Sequence, residues 1–423
     1  MPHRTHQKAE LVVYNTSQVL TCAGGLPKRG ATAGELKPIE RGAVAVAEGK
    51  ILAVGPEDHV LKRITDETVM VNAHGGILLP GLIDSHTHPV YGGDRAGEFL
   101  LRLGGAGYEE LQAKGLGIQT TVNGTRSMSL EQLLTSARKR LRRMMAEGVT
   151  TFEAKSGYGL DLESELKLLR AIKQLNEEGT SKLELVPTFM GAHLVPKEYA
   201  DRRREYLDLV CEEMLPQVAQ EGLAEFCDVF CDVGAFTVEE SRRVLTAASK
   251  LGLGLKLHAD ELACTGGTEL GVELGARSVD HLPYVSEAGI AALGKSDTAA
   301  VLLPATTFFL FKDRYAPGRA LVDAGAIVAL ATDHNPGSSH TQSILRAVEL
   351  GVMRCGLTAA EAIVAVTANA AYAIGREATL GSIETGKQAD LTILDVATPE
   401  ELIYAWGVNH VTGIVKHGEL VTF

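Results

Sequence analysis

The sequence predicts an α/β protein: a (β/α)8 TIM-type barrel joined to a smaller, discontinuous β-sandwich-like domain that both chain ends build. Strand-like and helical patterns alternate through the middle of the chain, both termini carry only short strand-like runs, and polar residues recur at the carboxyl ends of many different strands. An open, doubly wound sheet shares the alternation but concentrates such residues at one switch point, so their spread favours the closed barrel. At 423 residues the chain also exceeds what one hydrophobic core usually supports.

Taken in order, the runs at 11–15, 43–47, 51–55 and 68–72 read as strands, with a turn at Gly49-Lys50. Segment 24–34, with Pro27 and several small residues, reads as an exposed loop. The runs at 390–394 and 413–416, with a turn at Gly418-Glu419, return to the same character. Residues 1–79 and 380–423 are therefore expected to form one small β domain, and residues 80–379 the barrel. Within the barrel, strand-like runs end at His88, Lys155, His193, Asp232, Asp260, His281, Pro304 and Asp333. Ser129 with Gln132, Thr237 with Glu240 and Thr358 with Glu361 have capping-box spacing, and Gly148 and Gly179 sit where a helix would stop.

A net charge of −12 argues against a nucleic-acid surface, because phosphate binding needs clustered Lys and Arg. The one basic run, Arg138 to Arg143, falls on an amphipathic helix pattern and reads as a solvated face. Six cysteines form no C-x-x-C pair and the start lacks an apolar signal region, which fits a reduced cytoplasm. Cys227 and Cys231 read as buried thiols on one strand face. No apolar run is long enough to span a bilayer, so no membrane partner is expected.

The stretch Pro80-Gly81-Leu82-Ile83-Asp84-Ser85-His86-Thr87-His88 is an apolar strand ending in two histidines, and the strand period puts both imidazoles on one face. His258, followed by Asp260 and Glu261, closes the fifth strand, Asp280-His281 the sixth, and Asp333 the eighth. In a barrel these ends converge, so His86, His88, His258 and Asp333 could supply a three-nitrogen, one-oxygen set with an open position for water. A bound ion lowers the pKa of that water, to about 7 in zinc cases, and so removes the need for a Ser or Cys nucleophile. Consistent with this, no Gly-x-Ser-x-Gly elbow is present, and Gly104-Gly105-Ala106-Gly107 lacks the Lys and Ser/Thr of a phosphate loop.

At these residues the chain resembles the amidohydrolase superfamily, whose first barrel strand carries His-x-His, the fifth and sixth each a His, and the eighth an Asp. Binuclear members add a fourth-strand lysine; here that strand, residues 226–232, has none, and Lys155 ends the second strand instead, so one metal is expected. Residues 90–95, 153–159, 188–193, 258–261 and 332–339 narrow the resemblance to the imidazolonepropionase family over essentially the whole chain. That resemblance implies hydrolysis of 4-imidazolone-5-propanoate to N-formimidoyl-L-glutamate with one zinc or iron ion, in a cytoplasmic homodimer. It also implies roles by motif. Arg95 would fork onto the substrate's propionate, Tyr158, His193 and Glu261 would bind substrate, and Asn335, Gly337 and Ser338 would line the far wall.

Glu261 and Asp333 compete for the role of general base, and His281 would orient the water or steady developing charge. His334 departs from the apolar residue expected there, and alternation from Asp333 points it away from the metal. Two rivals are a neutral-ring opener or deaminase on the same scaffold, which would leave Arg95 no carboxylate to grip, and a metal-bound scaffold without turnover, which would need no base.

Overall fold

Eight parallel strands pair in sequence order: Leu82–Asp84, Val149–Lys155, Leu185–Ala192, Phe226–Cys231, Gly254–Ala259, Ser278–His281, Ala299–Leu302 and Ile327–Leu330. The computed structural model describes residues 7–105, 116–178 and 184–422. The expected helix stop at Gly179, and Ala106-Gly107 of the glycine-rich run, lie outside them. The barrel closes just beyond the strand ends. Thr87 bridges His334 in parallel, Asp333 N–H donates to His86 O at 3.1 Å, and His88 N–H donates to His334 O at 2.9 Å. The first and eighth strands are thus sewn together by the very residues expected to bind metal.

The strands are buried on both faces, as parallel strands under a helical layer must be, and all seven residues of Val149–Lys155 are inaccessible. Three helices start as their sequence signals require. Ser129, Thr237 and Thr358 each cap, in a reciprocal box with Gln132, Glu240 and Glu361, the helices Leu130–Ala146, Val238–Lys250 and Ala359–Ala365.

The chain ends build two further sheets. One orders Lys50–Pro56, Gly42–Ala47, Leu11–Tyr14 and Val69–Asn72; the other orders Glu419–Leu420, Val411–Lys416, Leu391–Leu394, Ile77–Pro80, Gln18–Leu20 and Pro38–Glu40. Val13, Val44 and Val46 of the first pack with Leu78, Leu391, Ile393 and Val415 of the second in one buried cluster, the arrangement of a sandwich. Three of these strands had no sequence signal, and a fourth, Glu419–Leu420, begins inside the turn expected at Gly418-Glu419. Gln18–Leu20 and Pro38–Glu40 are too short for a period, and Ile77–Pro80 merges with the apolar run of the first barrel strand.

Two expectations are corrected. Segment 24–34 is not simply an exposed loop: Lys28 and Ala33 are buried, and Lys28 N–H donates to the buried Asn369 side chain at 2.8 Å. Nor is the basic run wholly solvated. The Arg140 guanidinium lies 3.5 Å from the Tyr91 ring centroid and donates to the Pro89 and Tyr91 carbonyls, both at 3.1 Å, so it anchors the loop after the first strand.

Candidate metal centre and active site

His86 and His88 lie just past the end of their strand, in the extended segment that closes the barrel. Both are buried, as are His258 and Asp333. The Nε2 atoms of His86 and His258 face each other at 3.1 Å, and Asp333 Oδ1 lies 3.5 Å from His86 Nε2 and 3.8 Å from His88 Nε2. Ligand atoms sharing one cation at roughly 2.0–2.1 Å sit about 3–3.5 Å from one another, a spacing His86 keeps with His258 and with Asp333, while His88 stands a little further from Asp333. His281 belongs to the same cluster, one of its ring nitrogens falling within 4.8 Å of ligand atoms on His86 and His258.

What aims these rings was not anticipated. Asp280 accepts from His86 Nδ1 at 2.6 Å, and Asp228 accepts from His258 Nδ1 at 2.9 Å. An ionised carboxylate can only accept, so each Nδ1 carries the proton and each Nε2 presents a lone pair to the cluster. Lys155 Nζ donates to Asp228 at 2.6 Å and to Glu153 at 2.9 Å, and Lys256 Nζ donates to Glu153 at 2.8 Å. All five charged groups are fully inaccessible.

The charge balance of this layer tests whether a cation fits. Three acids face two ammonium groups, and Asp333 adds another negative charge in contact with neutral imidazoles. A divalent cation on the Nε2 atoms would neutralise the surplus, which a buried site otherwise holds at considerable cost. Burial pushes Asp280 up to about 6, against the pull of Lys256 and Lys155, and Asp333 up to about 6. His86, His88 and His281 are held well below the ordinary imidazole range, chiefly by burial and then by the charges around them.

Backbone geometry does part of the aiming. His281 has φ +84° and Asp333 φ +51°, left-handed values uncommon for non-glycine residues. At His281 the turn lets two successive side chains, Asp280 and His281, both serve the site. At Asp333 it breaks the alternation used to orient His334. His334 does turn away, its Nδ1 donating to Thr341 O at 2.8 Å.

A cleft of about 800 Å³ opens above the cluster, lined by His88, Tyr158, His193, Glu261, His281 and Asp333. Asp232 accepts from the backbone N–H groups of Glu261, Leu262 and Ala263 at 2.7–3.2 Å, fixing the turn that carries Glu261. Burial and then the nearby Asp333 push the Glu261 carboxyl up to about 7. Among the described residues the basic nitrogen paired with it is the neutral His281 Nδ1, at 3.8 Å. His193 Nδ1 donates to Gly157 O at 2.9 Å, leaving Nε2 for the cleft, and burial lowers its pKa to about 3.

A Cβ on Gly157, at φ +102°, would stand 3.0 Å from both His193 Nδ1 and Met190 O. Gly157→Ala is therefore expected to displace His193 and lower kcat/KM by roughly tenfold to a hundredfold with bound metal unchanged, measurable by steady-state kinetics beside elemental analysis.

The far wall carries Arg95, Asn335, Gly337 and Ser338. Arg95 does not present a free fork: Nε donates to Glu98 Oε2 at 2.8 Å and Nη2 to Glu98 Oε1, leaving Nη1 as the end without a partner among the described residues. Asn335 is spent on its own loop, accepting from Gly337 N–H at 2.7 Å and Ser338 N–H at 2.8 Å and donating to Asp333 O at 2.7 Å. Sequence reasoning passed over Glu98, Arg102, Glu153, Asp228 and Lys256. For the last three a signal existed, because ionisable residues inside fully buried apolar strands need partners.

A closed parallel barrel with these ligands at its carboxyl-terminal mouth defines a metal-type hydrolase, and the chain belongs to the Amidohydrolase family, whose model matches residues 77–421. Within it the chain belongs with the imidazolonepropionases. It is 45% identical to the imidazolonepropionase of Clostridium tetani over 98% of this chain and 99% of that one. It is 46% identical to that of Symbiobacterium thermophilum over 97% of each. Among solved structures, an adenosine deaminase from Xanthomonas campestris with bound zinc superposes with a TM-score of 0.72 at 21% identity, covering 98% of this chain and 93% of that one. A 5-methylcytosine deaminase from Klebsiella pneumoniae also gives 0.72 at 17% identity, covering 97% and 98%. At such identities the structural likeness speaks for the fold alone.

Proposed function

We propose that the protein hydrolyses 4-imidazolone-5-propanoate to N-formimidoyl-L-glutamate in histidine degradation, using one zinc or iron ion per chain held by His86, His88, His258 and Asp333. The observation that carries the chemistry is the convergence of those four side chains beneath a cleft whose far wall bears Arg95. The choice of substrate rests on the imidazolonepropionase relatives, which match over the full length of the chain.

A cation bound there supplies Lewis acidity that makes water nucleophilic near neutral pH. Everything else falls to the protein. Glu261 takes a proton from water as its oxygen bonds to the ring carbonyl carbon, and returns a proton to the ring nitrogen as the C–N amide bond breaks. His281, whose buried Nε2 has no partner among the described residues, orients the water. Tyr158 and His193 hold the ring, while Gly337, Ser338 and Arg95 receive the propanoate end. Residues 1–79 with 380–423 act as a companion domain to the barrel of 80–379. The six free cysteines suit a cytoplasmic location. Leu100, Leu103, Phe308 and Phe311, each more than half exposed, offer apolar surface for a homodimer.

The test offers purified protein the imidazolone acid and, separately, hydantoin and cytosine. The expected result is ring opening of the acid alone, with N-formimidoyl-L-glutamate identified by mass and NMR. Arg95→Gln should raise KM for the acid roughly tenfold to a hundredfold, the cost of a lost charge-assisted bond. Turnover of the neutral rings with none of the acid would overturn the reading.

A further inference from the structure

Arg102 has no role in the site as drawn so far, yet it stands on the same wall. It lies on the helix Ala96–Leu103, after Glu98 and the N-cap residue Arg95, and it lines the main cleft with both of them. Its Nη2 donates to Gly337 O at 2.8 Å. The other face of Gly337 lies against Arg95: a Cβ there would stand 2.1 Å from Arg95 Nη1. One glycine therefore touches both guanidinium groups, and only glycine leaves room for the second. Phe99 and Phe309, with centroids 5.9 and 5.7 Å from the Arg102 guanidinium carbon, brace it from the side.

Among the described residues the charges on this wall do not balance. Glu98 closes a bidentate pair with Arg95, and it also accepts from Gly117 N–H at 2.9 Å. Arg102 forms no ion pair among the described residues, and its Nε is buried without any hydrogen-bond partner there. A half-buried guanidinium with an unfilled donor costs free energy unless an acceptor reaches it. Burial lowers the Arg102 pKa, with Glu98 opposing the shift and Arg95 adding to it. An anionic ligand in the cleft that both residues line meets that need, since paired oxygens can face the Arg95 and Arg102 guanidinium groups together.

We propose that Arg102 is a second carboxylate-binding, specificity-determining residue, so that the acid arm of the substrate is held between the Arg95 and Arg102 guanidinium groups over Gly337 and not by Arg95 alone. This rests on the reading of the substrate as a propanoate. Glu98 then acts as the spacer that keeps Arg95 aligned while leaving one positive charge to be matched by a monoanion.

The experiment compares wild type, Arg102→Gln and Arg102→Lys on 4-imidazolone-5-propanoate and on its neutral carboxamide. Wild type is assayed first, and its failure to open the acid would sink the substrate reading itself. Given that activity, Arg102→Gln is expected to raise KM for the acid roughly tenfold to a hundredfold, with the larger effect on KM and not kcat. The preference for acid over carboxamide should fall by at least about tenfold, and Arg102→Lys should recover part of it. An unchanged KM, or equal losses on acid and carboxamide in a variant whose thermal midpoint matches wild type, would overturn the assignment. If Arg102→Gln fails to fold, Arg102→Lys alone decides: it must lose affinity for the acid more than for the carboxamide.

Discussion

His258→Ala should yield a folded protein that holds almost no metal and turns over more slowly by a factor on the order of 10³ or more. The ring does two things at once. Its Nε2 stands 3.1 Å from His86 Nε2, so its removal takes one of three nitrogens from the ligand set. Its Nδ1–H, with the backbone N–H of the same residue, satisfies Asp228 Oδ1 at 2.9 and 3.1 Å. Lys155 still pairs the other Asp228 oxygen, so the buried acid keeps a counter-charge and the fold survives. Elemental analysis and turnover on one preparation check the outcome. Retention of one metal per chain would place the cation elsewhere in the cluster. Asp228→Asn separates aiming from ligation: the ligand atoms stay, the ring loses its charged acceptor, and metal affinity should fall only about 10–100-fold.

How much of this was legible in the sequence follows from how local each signal is. A strand's period and a strand end's polar residue are local, so His86, His88, His258, His281 and Asp333 could be picked out singly, and the barrel brought them together. Capping boxes are local too, and all three expected ones formed. The Asp228–Lys155–Glu153–Lys256 layer is not local. It joins residues up to 103 positions apart on the second, fourth and fifth strands, and each acid or lysine alone looks like a misplaced polar residue in an apolar run. The Arg95–Glu98 pair illustrates the converse. Its spacing is local and visible, but whether a guanidinium fork stays open depends on which carboxylate the helix turns toward it. Left-handed backbone at His281 and Asp333 likewise has no signature in residue type, because tertiary closure imposes it.

Glu261→Gln is expected to lower kcat about 10²–10⁴-fold while leaving one metal per chain, which would make Glu261 the general base. The geometry favours it over Asp333. Thr306 Oγ1 donates to Asp333 Oδ2 at 2.7 Å, and Asp333 Oδ1 faces His86 and His88, so both of its oxygens are committed. Among the described residues the Glu261 carboxylate has no ion-pair partner nearer than His281 Nδ1, at 3.8 Å. Its carboxyl is pushed upward chiefly by burial, which suits a group that must take a proton and give it back. Glutamine keeps the shape but cannot accept that proton, and Asp232 holds the turn through backbone N–H groups that the substitution leaves alone. The loss should therefore fall on the chemical step, visible in kcat with bound metal intact. Near-normal turnover in Glu261→Gln would instead require Asp333 to release an oxygen from Thr306 or from the histidines during each cycle.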